Sequence, residues 1–593
     1  MTMAVPPGLW YIFNRFPGVL APPAIVYVAS ILCRNYYRID IPTWALVPAY
    51  VFSLPLALFL AVQWRRFANN RNAARLNAVL PPMVDFKWPG SIDNIRKVVH
   101  ATKHGYLGEM FIQWSEKYGP MFNSPILFED RIFTTEPEHI KAILATDFTS
   151  FEKGPSFFNQ LKTLMGTGVF NSDGEMWKFH RGVARPFFSR DRISHFDIFD
   201  RHAEDAIRKM KARLREGHAV DFQDLVSRFT LDSATEFLFG KDVRSLSAPL
   251  PYPPHAPGAR EKNAAAEAHP ANQFAKAFLD AQVATTMRSR FLGAWPLFEF
   301  WEDKVARHMA SIDAFVDPIV QDALAQRKDK GGEAGEEPGD EETLLGHLIN
   351  MTEDAQILKD ETLNILLAGR DTTAATLTYA MYVLAVHPEI LQRLRREVLE
   401  KVGPVRRPTY DDIREMKYLR AFINEVLRLY PPVPFNIRTS NKATVWPSKR
   451  ADGKGYYIPP NVRSPYSVFV MHRRKDLWGP DALKFDPDRF LDERVQKYLT
   501  PNPFIFLPFN AGPRICLGQQ FAYNEVSFML VRLLQQFEFV ELAPEANPDA
   551  LPPQSVRESA GRAILSDGQE KVWLKSHLTL YANHGLWVKM RSV

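Results

Sequence analysis

Residues 507–525 read LPFNAGPRICLGQQFAYNE. The stretch carries Cys516, one of two cysteines in 593 residues, set between Gly512 and Gly518 just ahead of a helical pattern. A thiolate at a helix N-terminus is stabilised by free backbone N–H groups and by the helix dipole, and it serves as a nucleophile or a metal ligand. Glycines on both sides let a flat cofactor approach the backbone closely. Arg514 stands where it can pair with an anionic group of such a cofactor. A buried, inert cysteine in a tight turn has the same local sequence. A cysteine hydrolase is disfavoured, because no histidine lies within forty residues before Cys516 or sixty after it to act as base.

Composition narrows the classes further. The chain is 46% hydrophobic and 24% charged, as in an ordinary globular protein. Its net charge of +6 comes from 73 basic and 67 acidic residues, with no concentrated basic run, so a nucleic-acid binder is excluded. Two cysteines exclude a disulfide framework and a cysteine-rich zinc site. Residues 42–63 carry no charge over 22 positions, enough to cross ~30 Å of hydrocarbon as a helix. Arg65, Arg66, Arg71 and Arg75 follow, which predicts that the C-terminal bulk faces the cytosol. An earlier apolar segment, 17–33, is broken by Pro22 and Pro23 and reads equally as a second span, a re-entrant piece or an interfacial anchor. The expected division is a membrane anchor over 1–78, a proline-rich hinge over 79–90 and one body over 91–593.

In the body helical patterns dominate, at 198–217, 272–288, 298–327, 355–386, 410–430 and 517–537. Strand-like runs lie near 121–134, 437–447 and 456–459, and the last forty residues suggest a hairpin. Segments 246–272, rich in Pro and Ala, and 327–342, Gly-rich and charged, read as surface loops, and their sequence leaves open whether they are ordered. The fold class is therefore mostly α, an α+β body with small sheets.

Three further constellations carry chemistry. Glu425 and Arg428 share a helical face, a spacing that is most often a solvated ion pair. Residues 364–387 are apolar almost all round yet hold Gly369, Asp371 and Thr372; a threonine there bonds back to the Ala368 carbonyl and bends the helix. Trp177 and Arg181 stand one helical turn apart.

The spacing Phe509-x-x-Gly512-x-Arg514-x-Cys516-x-Gly518 resembles in full the haem-binding loop of the cytochrome P-450 monooxygenases. The other constellations resemble that family's remaining motifs, over about 85–593. The resemblance implies the cytochrome P-450 fold and a haem b whose iron is held by the Cys516 thiolate. It implies that Arg514, Trp177, Arg181 and Arg438 hold the haem propionates, and that Glu425, Arg428 and Arg489 form a structural network. Asp488 stands where the family often has Glu. Asp371 and Thr372 would feed protons to O2. Phe157, Phe158, Leu161, Leu164, Met165, Phe170, Ala368, Val433 and Phe435 would line the substrate pocket. Residues 166–181 and 466–490 look like fungal members that hydroxylate long-chain fatty acids or n-alkanes. The alternatives are oxidation of aromatic, xenobiotic or terpenoid compounds and, in another class, a non-enzymatic haem sensor. The implied partners are an NADPH-dependent reductase, cytochrome b5 and membrane lipid, and the implied place is the endoplasmic reticulum membrane.

Overall fold

Asp354 starts the helix around which the body packs. Its carboxylate accepts the N–H of Gln356 at 2.9 Å and of Ile357 at 3.2 Å, and 32 helical residues follow, Ala355–Val386. His387 leaves the helix because Pro388 follows it and opens the next one. The central helix runs between the two largest apolar clusters, one holding Leu377, Met381 and Leu384, the other Leu358, Leu363 and Leu366. In this computed structural model residues 5–188, 196–329, 343–554 and 571–593 are described.

The short strands Met121–Asn123, Ile132–Thr134, Arg463–Tyr466, Asn436–Ser440 and Phe151–Glu152 form one sheet in that order. The pair Ile132–Thr134 and Arg463–Tyr466 is parallel and the rest are antiparallel. The expected terminal hairpin is present as Leu574–Ser576 with Leu580–Ala582. A last strand, Trp587–Ser592, pairs with Phe537–Leu542.

Several expectations are corrected. The pattern at 410–430 is two helices, Tyr410–Glu415 and Lys417–Leu429, because the chain leaves helical geometry at Met416 and sinks that side chain fully into the core. Segment 246–272 is not loop throughout: it contains the helix Ala259–Glu267, Asn263 bonds both backbone groups of Tyr252, and the Arg213 guanidinium lies 3.4 Å from the Tyr252 ring centre. Of 327–342, residues 330–342 lie outside the described residues.

At the N-terminus two helices occur, Pro7–Tyr37 and Thr43–Arg75. Their most apolar windows are only 6% and 0% buried, so neither is a core helix. Pro17, Pro22 and Pro23 sit inside the first helix, which runs unbroken through the segment read as a re-entrant alternative. The stretch 79–90, expected as a stiff hinge, bonds to the body at Val79, Pro82 and Val84. Pro81 and Pro82 hold it extended, so Val79 exchanges backbone bonds with Gly455 (2.9 Å) and Tyr457 (2.8 Å), and Asn123 bonds Pro82 (2.7 Å) and Val84 (2.9 Å).

Candidate active site

The thiol loop is built by its backbone. The Cys516 N–H donates to the Phe509 carbonyl at 3.0 Å and the Ile515 N–H to Gly512 at 3.0 Å. Gly512 has φ +67°, and a Cβ there would lie 1.9 Å from the Leu144 carbonyl oxygen, so only glycine closes this turn. Gly518 is different: its φ is −84°, and a Cβ would meet nothing closer than Phe188 at 3.6 Å. It leads into the helix Gln519–Gln536. Phe509 packs on Tyr523, with ring centres 5.2 Å apart.

Cys516 faces a cavity of about 830 Å³ and is exposed there, in a loop whose residues from Pro508 to Gly518 are half-buried or exposed. Burial pushes its thiol above the usual range, while the Gly518 backbone N–H and the Arg181 guanidinium push it down.

Four cations line the cavity beside the loop: Lys153, Arg181, Arg438 and Arg514. Arg181 donates to the Ile515 carbonyl at 2.9 Å, and Arg438 to Asn436 Oδ1 at 2.9 Å and Ile437 O at 2.7 Å. Arg514 donates to Ser172 O at 3.0 Å and Asp173 at 2.6 Å, with its guanidinium 4.5 Å from the Trp177 ring centre. Among the described residues Asp173 is the one carboxylate that bonds any of the four. Burial and the neighbouring Arg438 bring Arg514 down to about 10, and burial with Arg438 and Arg514 holds Lys153 well below the usual lysine range. So much positive charge beside a thiol fits a planar metal cofactor with two carboxylate arms.

Opposite the loop, Thr372 Oγ1 bonds the Ala368 carbonyl at 2.7 Å, as its place in the helix predicts. Ala368, Gly369, Thr372 and Thr373 all reach the cavity. Asp371, about 100° round the helix from Thr372, lies off the cavity wall, 3.3 Å from Arg370, and its Oδ2 has no partner. Phe157, Leu161, Met165 and Phe170 line the cavity, as do Val433 and Phe435. Phe158 and Leu164 do not. The helix Gly154–Met165 turns positions 157, 161 and 165 inward, which leaves Leu164 in the apolar core and Phe158 near Lys162.

Beneath the loop, Glu425 and Arg428 are 0% exposed, so this is no solvated surface pair. Two bonds of 2.7 and 2.8 Å join them, and Arg428 also holds the carbonyls of His472 and Ala482, each at 2.7 Å. Arg489 approaches Glu425 at 3.5 Å but spends its stronger bonds on Asp481. Asp488 turns outward to the Arg393 guanidinium at 2.7 Å.

Three residues were not anticipated. His472 takes the Leu507 N–H on Nε2 at 3.0 Å and meets the Arg428 carbonyl with Nδ1 at 3.1 Å, which ties the buried ion pair to the thiol loop. Glu525 is fully buried next to Thr373; burial pushes it up to about 8, against the Thr373 and Ser233 hydroxyls. Lys153 is the third. Its only signal was a lysine in the aromatic stretch 151–158.

A cavity-facing thiol ahead of a helix, four cations beside it and a central helix whose Thr372 hydroxyl bonds back to the Ala368 carbonyl together fit the haem-thiolate class. The chain belongs to the cytochrome P450 family, whose pattern matches residues 90–563. It is 36% identical over 491 residues to Cytochrome P450 monooxygenase g430 of a Fusarium species, covering 80% of this chain and 82% of the relative. It is 35% identical over 482 residues to Cytochrome P450 52E2 of Candida apicola (80% and 88%) and 37% over 433 residues to Cytochrome P450 52A3-A of Candida maltosa (70% and 77%). The protein is thus a haem-thiolate monooxygenase that uses dioxygen, a redox partner and a hydrophobic substrate.

Proposed function

We propose that this monooxygenase hydroxylates long-chain fatty acids or n-alkanes, drawing electrons from NADPH through a separate reductase, with cytochrome b5 as a second donor. The observation that carries the reading is the cavity, which the Cys516 thiol lines together with the apolar side chains of Phe157, Leu161, Met165, Val433, Pro434 and Phe435. The likeness of 166–181 and 466–490 to alkane- and fatty-acid-hydroxylating fungal members supports the same substrate class.

In this reading Cys516 is the iron ligand, and Arg514, Arg181, Arg438 and Trp177 hold the propionates. The haem, when bound, supplies oxygen activation. Thr372 Oγ1 stands on the cavity wall and passes a proton inward, and the Asp371 carboxyl behind it draws replacement protons from outside the apolar wall. Glu425, Arg428 and Arg489 hold the loop. Residues 1–78 are the anchor, with the two apolar helices in the endoplasmic reticulum membrane and the body facing the cytosol.

The test is a haem spin-state titration with fatty acids, n-alkanes, polycyclic aromatics and terpenoids, followed by product analysis with reductase. Tight shifts and oxidised product from an aromatic or terpenoid set, with none from the chain lipids, would replace this substrate class.

A further inference from the structure

We propose that Arg131 and Arg463 form a carboxylate clamp in the cavity wall, which selects substrates with an anionic head over the bare hydrocarbon. This rests on the lipid reading above and deepens it, because that reading leaves acids and alkanes equal.

The sheet brings the two arginines together across more than three hundred positions. Arg131 precedes the strand Ile132–Thr134 and forms a parallel bridge with Arg463 on the strand Arg463–Tyr466. Both side chains line the cavity, next to Ile126, Phe133 and Phe157. The Arg463 guanidinium donates to the Ser156 hydroxyl. Arg131 Nε is buried without a partner, and among the described residues no carboxylate forms an ion pair with either arginine. Glu129 reaches Arg463 only through its field. Burial, with Arg463 adding to it, brings Arg131 down to about 10.

Two like charges side by side in a desolvated wall are costly by themselves. A carboxylate between them offsets that cost, and two planar guanidinium forks suit its two oxygens better than any neutral head. The apolar residues around the pair then receive the first methylenes of a chain. Position supports this occupant. The same hairpin, through the Phe128 carbonyl, accepts a bond from Arg65, just past the uncharged span of the second N-terminal helix. The clamp therefore lies level with the polar end of the anchor, the depth at which a lipid carries its head group.

A second cationic pair in the cavity, Arg290 and Lys575, serves as the internal control. Lys575 is already committed to the carbonyls of Thr102 and Lys103 at 2.9 and 3.0 Å. Arg290 contacts the Met287 sulfur at 3.0 Å.

The experiment titrates the haem-loaded full chain with a fatty acid, its methyl ester and the alkane of equal length, reading the spin-state shift. The acid should bind tightest. The ratio of acid to alkane affinity should fall about tenfold in Arg131→Gln and in Arg463→Gln, the loss of one charge-assisted hydrogen bond. Arg131→Lys should keep part of it, and Arg290→Gln should leave the ratio in place. The carbon-monoxide spectrum of each variant reports whether its thiolate site is formed, and the comparison of acid with ester needs no variant. An acid that binds no tighter than its ester overturns the clamp, as does a ratio that falls with Arg290→Gln and not with Arg131→Gln. Spin shifts with alkanes alone overturn the clamp and leave the lipid reading standing; shifts with none of the chains overturn both.

Discussion

Replacing His472 by alanine tests how the thiol loop is held. The ring is 0% exposed and neutral, and both of its nitrogens are engaged, by Leu507 N–H and the Arg428 carbonyl. Its ring centre also lies 5.5 Å from that of Phe506 and 6.4 Å from that of Trp478. Truncation leaves a buried Leu507 N–H unpaired, costing about 1–3 kcal/mol. The lost ring packing adds about 1–3 kcal/mol. Together, about 2–6 kcal/mol is a large part of a domain's stability. Because Leu507 opens the loop that carries Cys516, the loss should appear first as a shrunken thiolate–carbon monoxide band and next as a lowered Tm. The pH dependence gives a signature that plain cavity formation lacks. Burial, with Arg428 beside it, pushes His472 from 6.5 down to about 3. The folded state therefore keeps the ring neutral while the unfolded chain protonates it. That stability is complete above about pH 6.5 and falls by roughly 1.4 kcal/mol per unit as pH drops toward 3. The variant should lose this component, so its stability should fall less steeply over pH 6.5–4 than that of the parent. An alanine variant with unchanged band, Tm and pH slope would refute the reasoning.

Cys516→Ser should abolish the red-shifted thiolate band and the monooxygenation, while Cys33→Ser should keep both; a Cys516→Ser protein that retains the band would remove the ligand assignment. Thr372→Ala should leave haem content and substrate binding near normal but send more dioxygen to peroxide, with product formation down about 10²–10⁴-fold where water does not substitute; unchanged product per NADPH would make Thr372 a helix-bending residue only. A chain starting at Asn77 should bind haem and need less detergent for extraction. One starting at Leu80 loses the two Val79 backbone bonds and should be less stable by about 1–2 kcal/mol, read by thermal unfolding; equal stability of the two would show that this edge pairing contributes nothing.

Local chemistry made the centre of this site readable. A tight turn ahead of a helix needs Gly512 where it stands, and a helix that bonds Thr372 back to Ala368 carries both residues within one turn, so the spacing itself is informative. Glu425 and Arg428 were readable as a pair but not as a buried one, since burial depends on carbonyls near 472 and 482 folding over them. The cavity wall was readable only by stretch. Which of Phe157, Phe158, Leu161 and Leu164 face inward follows from how the helix Gly154–Met165 is rotated, and its neighbours in the fold decide that. His472 and Arg131 carried no local signal at all. His472 meets partners 35 and 44 positions away, and Arg131 acquires its meaning from a strand 332 positions on. Long-range pairing through short strands therefore places the residues that tune the site, whereas helix and turn geometry places those that perform its shared chemistry. Selectivity within the family should then be sought at positions that the sheet brings together, such as Arg131 and Arg463, which lie outside both the thiol loop and the central helix.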